Sequence, residues 1–268
     1  MKSVASRSNP FFKSLIRMHQ EAGKSGKPVV LEGIHLCQSW LATGKSPEWV
    51  VIDRAVEHNV EIQQLIQACA PERLVMLEPG LFKSISEVVT AQGILFIVTL
   101  PQDPPVLVLN QNCVLLDRVQ DPGNVGTMLR TAAAAGVRLV YASEQTAALW
   151  SPKVLRSAQG AHFALSLHER VDLPALMQRL EVPSVATTIQ GSTDLFDTKL
   201  PLRCAWIFGN EGQGIRTDLS DRASFRVRVP MDTTMVESLN VSICAALCLY
   251  EQRRQHSAAQ SSSTSQRL

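Results

Sequence analysis

Short apolar runs, separated by stretches whose apolar residues recur at helical spacing, set the rhythm of this chain. Val29-Val-Leu-Glu-Gly, Trp49-Val-Val-Ile-Asp, Leu74-Val-Met-Leu and Gly93-Ile-Leu-Phe-Ile-Val have the length and β-branched content of strands. Between them, Ile34 to Ala42 reads as an amphipathic helix stopped by Gly44, and Val60 to Ala70 as another. Strands alternating with helices predict a smaller α/β domain over residues 1–100. Leu100-Pro-Gln-Asp-Pro-Pro then places three prolines within five residues. Neither a helix nor a central strand accommodates them, so residues 101–112 read as a linker.

The alternation resumes over residues 113–255. Strands are expected at Cys113 to Asp117, Arg138 to Ala142, Ser184 to Thr188, Cys204 to Phe208 and Phe225 to Val229. Helices are expected from Asn124 to Ala135, ended by Gly136, and from Ser151-Pro152, where serine caps and proline fits the first turn. A last helix, from about Glu237 to Arg253, carries Leu239, Ile243, Ala246, Leu247 and Tyr250 on one face. This pattern predicts a mostly parallel sheet covered on both sides. Residues 256–268 are rich in Ser, Gln and Thr, bury little, and read as a disordered tail.

Composition refines the picture. A length of 268 residues suits two domains, and 45% hydrophobic with 19% charged residues supports a packed core. A net charge of +2 does not by itself mark a nucleic-acid partner. Its distribution does more: residues 1–27 hold Lys2, Arg7, Lys13, Arg17, Lys24 and Lys27 against Glu21 alone. Such an arm suits a polyanion, although a solvated helix face explains it equally well. Cys37, Cys69, Cys113, Cys204, Cys244 and Cys248 lie mostly in apolar runs, as reduced buried thiols do, which favours a cytoplasmic protein. Cys244 and Cys248 lack a second ligand pair, so no metal site is expected. Neither a signal peptide's apolar segment nor a membrane-spanning run is present. Trp40 and Trp49 suit the first domain's core better than base stacking, while Phe11-Phe12 suits either stacking or anchoring.

Three loops follow strands of the second unit, and in a parallel sheet such loops gather at the carboxyl edge, where ligands bind. The first, Asp117 to Arg130, turns at Asp121-Pro-Gly, with Asn124 placed to cap a helix and Arg130 further along it. The second, Phe208-Gly-Asn-Glu-Gly-Gln-Gly, lets backbone approach a ligand and sets Glu211 between glycines. It is not the dinucleotide fingerprint, and no clear version of that fingerprint with its acidic partner occurs, which argues against a nucleotide-dependent oxidoreductase. The third runs from Val229-Pro-Met231 to Ser238-Leu-Asn-Val-Ser, placing Ser238 and Asn240 at a helix N-terminus that can hold an anion. Each has a plain structural reading as a cap, ion pair or turn; the order and combination carry the argument.

In these motifs the chain resembles the SpoU (TrmH-like) family of the SPOUT methyltransferases. Asn-x-Gly-x-x-x-Arg at 124–130, the glycine block at 208–214 and the Val-Pro-Met and Ser-Leu-Asn-Val-Ser pair match its three motifs in order. Residues 1–100 resemble, more loosely, the substrate-binding domain often fused ahead of it, through Val30-Leu-Glu-Gly and Ala91-Gln-Gly-Ile-Leu. The resemblance implies a C-terminal trefoil-knotted domain, a homodimer packed through it, and S-adenosylmethionine bent within the knot. It places cofactor contacts at Gly209, Val229, Met231 and Leu239, and catalytic positions at Arg130, Asn124, Glu211, Ser238 and Asn240. The implied reaction is methyl transfer to a ribose 2′-hydroxyl of RNA, ribosomal rather than transfer RNA by analogy of domain layout. Arginine stays protonated near neutral pH, so Arg130 is expected to hold phosphate and polarise the hydroxyl, with Glu211 and Asn124 orienting it. The alternative is a knotted RNA-binding protein without catalysis.

Overall fold

The computed structural model describes residues 1–21, 26–86, 88, 90–100, 109–190 and 192–265, with side chains as far as Ser257. The chain partitions into one unit of Met1–Gln102 with Trp150–Phe163, and a second of Asp103–Leu149 with Ala164–Leu268. The first runs β1 (Lys2–Val4), α1 (Pro10–Glu21), β2 (Val29–Glu32), α2 (Ile34–Leu41), β3 (Trp49–Asp53), α3 (Val60–Gln67), β4 (Leu74–Leu77) and β5 (Ile94–Val98). Its sheet has the order β1-β4-β3-β5-β2 and is mixed, because β5 runs antiparallel to both neighbours. Alternate strand residues face opposite sides. Val50, Ile52, Ile94 and Phe96 meet Trp40, Ile62 and Leu65, whereas Val51, Leu95 and Ile97 meet Phe12 and Leu15. Trp40 is buried, and Trp49 packs edge-on against Phe11 at 5.0 Å between ring centroids. Both tryptophans therefore serve the core rather than offering open faces to bases.

The second unit runs β6 (Cys113–Asp117), α4 (Pro122–Ala135) and β7 (Leu139–Ala142). The chain then contributes α5 (Pro152–Ala158) to the first unit and continues with β8 (Ser166–His168), α6 (Leu173–Met177), β9 (Ser184–Thr187), β10 (Thr193–Asp194), β11 (Ala205–Gly209), α7 (Thr217–Arg222), β12 (Phe225–Arg228) and α8 (Val241–Ser265). Its seven strands pair in the order β10-β12-β9-β11-β6-β7-β8, every pair parallel. The central strands β6 and β11 are buried along their whole length, as unbroken apolar runs in parallel sheets are. Cys113, Leu115, Ala205 and Ile207 meet Leu173, Leu176 and Leu219 on one face. α8 returns to pack against α4 and β11. Its buried Gln252 fixes it there: the side-chain carbonyl accepts from Trp206 Nε1 at 2.8 Å, and the amide donates to Asn112 Oδ1 at 3.2 Å and Pro201 O at 3.1 Å. Such full satisfaction avoids the cost, about 1–3 kcal/mol, of a buried polar group left unpaired.

The last helix departs from expectation in three ways. It starts at Val241, so Leu239 precedes it rather than lying on its face. The side turned inward carries Ser242, Ala245, Cys248, Leu249 and Gln252, while Ile243, Leu247 and Tyr250 of the expected apolar face are exposed. It also reaches Ser265, through much of the segment read as tail, since no glycine or proline interrupts residues 241–265. Residues 101–108 of the expected linker and 266–268 of the expected tail lie outside the described residues. No helix among the described residues is long and apolar enough to cross a membrane.

Candidate cofactor and catalytic site

The carboxyl edge of β6 and β11 is locked by a buried acid. Asp117, fully enclosed at the end of β6, accepts from the Arg216 amide at 2.9 Å and from Arg216 Nε at 3.0 Å. The next residue, Arg118, turns the chain with φ 59°, a left-handed conformation rare for a side chain with a Cβ. Its carbonyl accepts from Asn210 Nδ2 at 2.9 Å, and its guanidinium donates to Gln213 Oε1 at 3.0 Å. The turn after β6 and the loop after β11 are thus stitched together from both sides.

The loop itself closes on two backbone bonds between Asn210 and Gly214, while Asn210 Oδ1 accepts from the amides of Gly212 and Gln213 at 3.0 and 2.9 Å. Gly209 is obligatory: a Cβ there would lie 2.2 Å from the Ile215 nitrogen and 2.3 Å from the Gly214 carbonyl carbon. The fold of the loop delivers the Glu211 carboxylate to the start of α4. It accepts from the amides of Gln120 (3.2 Å) and Asp121 (3.1 Å) and from Asn124 Nδ2 (3.0 Å). Asp121, not Asn124, caps α4, accepting from the Asn124 amide at 2.7 Å. That frees the Asn124 side chain to accept from Asn240 Nδ2 at 2.9 Å. Asn240 in turn receives the amides of Ser242 (2.8 Å) and Ile243 (3.4 Å), as an N-cap of α8 does. Glu211, Asn124 and Asn240, one from each motif, form a continuous chain of hydrogen bonds.

Desolvation alone would raise the Glu211 pKa, but the bonds from Asn124 and from the Asp121 and Gln120 amides outweigh it, and the pKa is lowered. A depressed carboxylate contributes stability above its unfolded pKa, near 4.3, and loses it only as pH falls through the lower folded value. Glu211 therefore stays ionised between pH 5 and 8. Glu211→Gln replaces an acceptor with a donor facing amide N–H groups, and loss of one charged bond is worth about 1.5–3 kcal/mol. Turnover should fall at least ~10-fold, while any acid limb of the kcat/KM profile above pH 5 persists in the variant. Disappearance of that limb in Glu211→Gln would contradict this reading.

A cavity of about 550 Å³ opens beside this chain, within the usual range for small-molecule sites. Its walls include Thr187, Thr188 and Ile189 at the end of β9, Gly209 to Gly212, Val227 to Val229, Met231, Glu237 to Val241, and Cys244. All four implied cofactor positions, Gly209, Val229, Met231 and Leu239, line it, together with Glu211, Ser238 and Asn240. Asn124 joins through its hydrogen bonds. Val229, Met231 and Leu239 offer apolar surface to a flat base, and Glu211 and Glu237 offer negative charge to a cationic sulfur, so a sulfonium nucleoside fits. Arg130 stands apart on α4, exposed, its side chain without a hydrogen bond or ion pair among the described residues. Glu211 and Asn124 bind one another rather than its guanidinium, so the expected orienting contact is absent in this state. Sequence reasoning gave no role to Thr187 to Ile189; their place at the carboxyl end of a parallel strand was the available signal.

The family model of the SpoU rRNA methylases matches residues 111–250. A 23S rRNA (guanosine(2553)-2′-O)-methyltransferase, RlmP, of Bacillus subtilis is 32% identical over 257 residues, covering 94% of this chain and 100% of that protein. An uncharacterized tRNA/rRNA methyltransferase of Synechocystis is 33% identical over 266 residues, covering 96% and 95%. Among solved structures, an RNA 2′-O ribose methyltransferase superposes with a TM-score of 0.80 at 27% identity, covering 95% of this chain and 99% of that one. An AdoMet-bound rRNA methyltransferase from Sinorhizobium meliloti does so with a TM-score of 0.80 at 25% identity, covering 94% and 97%. The chain belongs to the SpoU rRNA methylase family.

Proposed function

We propose that this chain transfers the methyl group of S-adenosylmethionine to a ribose 2′-hydroxyl of ribosomal RNA. The observation that carries the reading is a cavity at the carboxyl edge, walled by the second and third motif loops and tied to the first by the Glu211–Asn124–Asn240 chain. When bound, S-adenosylmethionine supplies an electrophilic methyl on a cationic sulfur. The protein's own task is alignment, holding the ribose oxygen in line with that methyl so that an O–C bond forms as the S–C bond breaks. Gly209, Val229, Met231 and Leu239 hold the cofactor. Arg130, permanently charged, binds an RNA phosphate and polarises the hydroxyl, whose proton departs to phosphate oxygen or water. Asn240 and Ser238 shape the ribose side of the cavity, and Glu211 with Asn124 fixes the loops.

The Bacillus subtilis relative, a 23S rRNA methyltransferase aligned over its whole length, supports ribosomal over transfer RNA as substrate. Basic side chains of the N-terminal arm, Lys13 and Arg17 among them, suit the first unit for phosphate contacts that position without reading sequence. The exposed Ile243, Leu247 and Tyr250 stripe on α8 gives the second unit an apolar face suited to burial against a second copy, which supports a homodimer. The return of α8 against α4 and β11 accords with a trefoil knot, and a ribosomal substrate with a cytoplasmic site of action. Binding without catalysis is disfavoured by the intact cavity and Arg130. Deleting the gene should remove one 2′-O-methyl mark from 23S rRNA by mass-spectrometric mapping, with wild type but not Arg130→Ala restoring it. Survival of every ribose methylation would overturn the proposal.

A further inference from the structure

The opposite, amino edge of the second sheet carries a feature that the methyl-transfer site does not use. Two adjoining cavities of about 390 and 310 Å³ share Asn112 and hold Gln111, Arg138 and Arg203 in one, Arg253 and His256 in the other. Neither wall contains an Asp or Glu, and none of the three arginines makes an ion pair among the described residues. Capping of carbonyls accounts for only part of this charge. Arg203 Nη1 donates to Asn110 O at 3.3 Å and Arg253 Nη1 to Ala134 O at 3.4 Å, which leaves most of their N–H groups unused. Arg138 is exposed and makes no side-chain bond among the described residues. Asn112 spends its carbonyl on the Cys204 amide and on Gln252, so its amide remains a donor. The nearby Glu251 is committed to Arg254 at 2.7 Å. What is left is a concave surface rich in guanidinium donors and free of carboxylates in its walls, the complement of phosphate oxygens.

We propose that this arginine groove is a second RNA site, which grips the phosphodiester backbone of the substrate away from the reacting nucleotide. The proposal rests on the reading that the substrate is RNA. β6 separates the groove from the cofactor edge by about 15 Å, so the two sites engage different nucleotides of one folded RNA. Contacts of this kind position without specifying sequence, and they make affinity depend on salt.

The test is filter binding of in vitro transcribed 23S rRNA, across a range of KCl concentrations, to wild type and to the Arg138→Ala, Arg203→Ala double variant. Both residues are exposed, so S-adenosylmethionine binding and thermal melting serve as controls for an unaltered fold. The double variant should bind about 10-fold more weakly at low salt, and the slope of log K against log salt should shrink by roughly one to two units. Lysine at both positions should restore most of the slope. Wild-type affinity and slope in the double variant would overturn the proposal. So would stabilisation of the wild type alone by inorganic phosphate with an unchanged RNA slope, which would mark a free-anion site instead. Because the readout is binding, a protein that methylates nothing yet loses slope keeps the groove. A variant that methylates with unchanged RNA affinity removes the groove and leaves the proposed reaction intact.

Discussion

Arg130→Ala is expected to lower kcat for RNA methylation by about 10²- to 10³-fold, the span typical of losing one charged donor aimed at the oxygen where charge develops. The cofactor's Kd should stay within ~2-fold, because Arg130 does not line the cavity. Stability should move by less than about 0.5 kcal/mol, as for other exposed residues without partners. This split separates a role at the reacting ribose from a structural one, which would lower the melting temperature alongside the rate. Arg130→Lys should recover only part of the loss, since an ammonium retains charge but not the planar fork that grips phosphate. Single-turnover methylation with radiolabelled S-adenosylmethionine decides the matter. Near-normal turnover in Arg130→Ala would remove this residue from the mechanism.

Gly209→Ala should be the most damaging single methyl group added to the site. The new Cβ meets backbone at 2.2–2.5 Å, at Ile215 nitrogen and at the carbonyl group of Gly214, and no side chain can rotate away to relieve it. The Asn210–Gly214 closure must open, which displaces Glu211 and with it Asn124 and Asn240. Overpacking of this kind costs about 1–3 kcal/mol, and at this size each kcal/mol lowers Tm by roughly 2–4 °C. Calorimetry should show Kd for S-adenosylmethionine raised at least ~100-fold, equivalent to about 2.7 kcal/mol. Gly214→Ala is the informative control, because its Cβ meets open space and suffers only from φ +69°. Equal affinities for Gly209→Ala and wild type would show that the loop yields more readily than its geometry implies.

The strands were legible where apolar runs were long: Cys113–Asp117, Leu74–Leu77 and Trp49–Asp53 fall where the pattern placed them. The short elements were not. Ser166–His168, Leu173–Met177 and Thr217–Arg222 hold three to six residues each, too few for a period to declare itself, and packing rather than propensity makes them. The face of α8 was misread for a different reason. Its apolar periodicity is real, but Ile243, Leu247 and Tyr250 point outward, and apart from Leu249 the inward side is built from small and polar residues, with Gln252 bonded to Trp206, Asn112 and Pro201. Periodicity reports which residues share a face and not what covers it. In the site, the three motif loops converge as expected, and the cofactor positions line one cavity. What spacing could not reveal was the partner of each side chain: Asp121 took the capping role, which turned Asn124 from a cap into the middle of a chain.

That chain has a consequence for how the protein is born. Asn124 lies 87 residues from Glu211 and 116 from Asn240, and Gln252 seats the last helix on Asn112 across 140. No local segment can assemble these bonds, so the site closes only when the final helix docks, and contacts so distant in sequence make folding slow. On the ribosome, the first unit's sheet of residues 2–98 emerges complete well before the helix that finishes the second. The first unit itself is completed only when α5 follows, after β6 and β7 have emerged, and the buried faces of β6 and β11 await cover until α8 arrives. Competence arrives late and all at once.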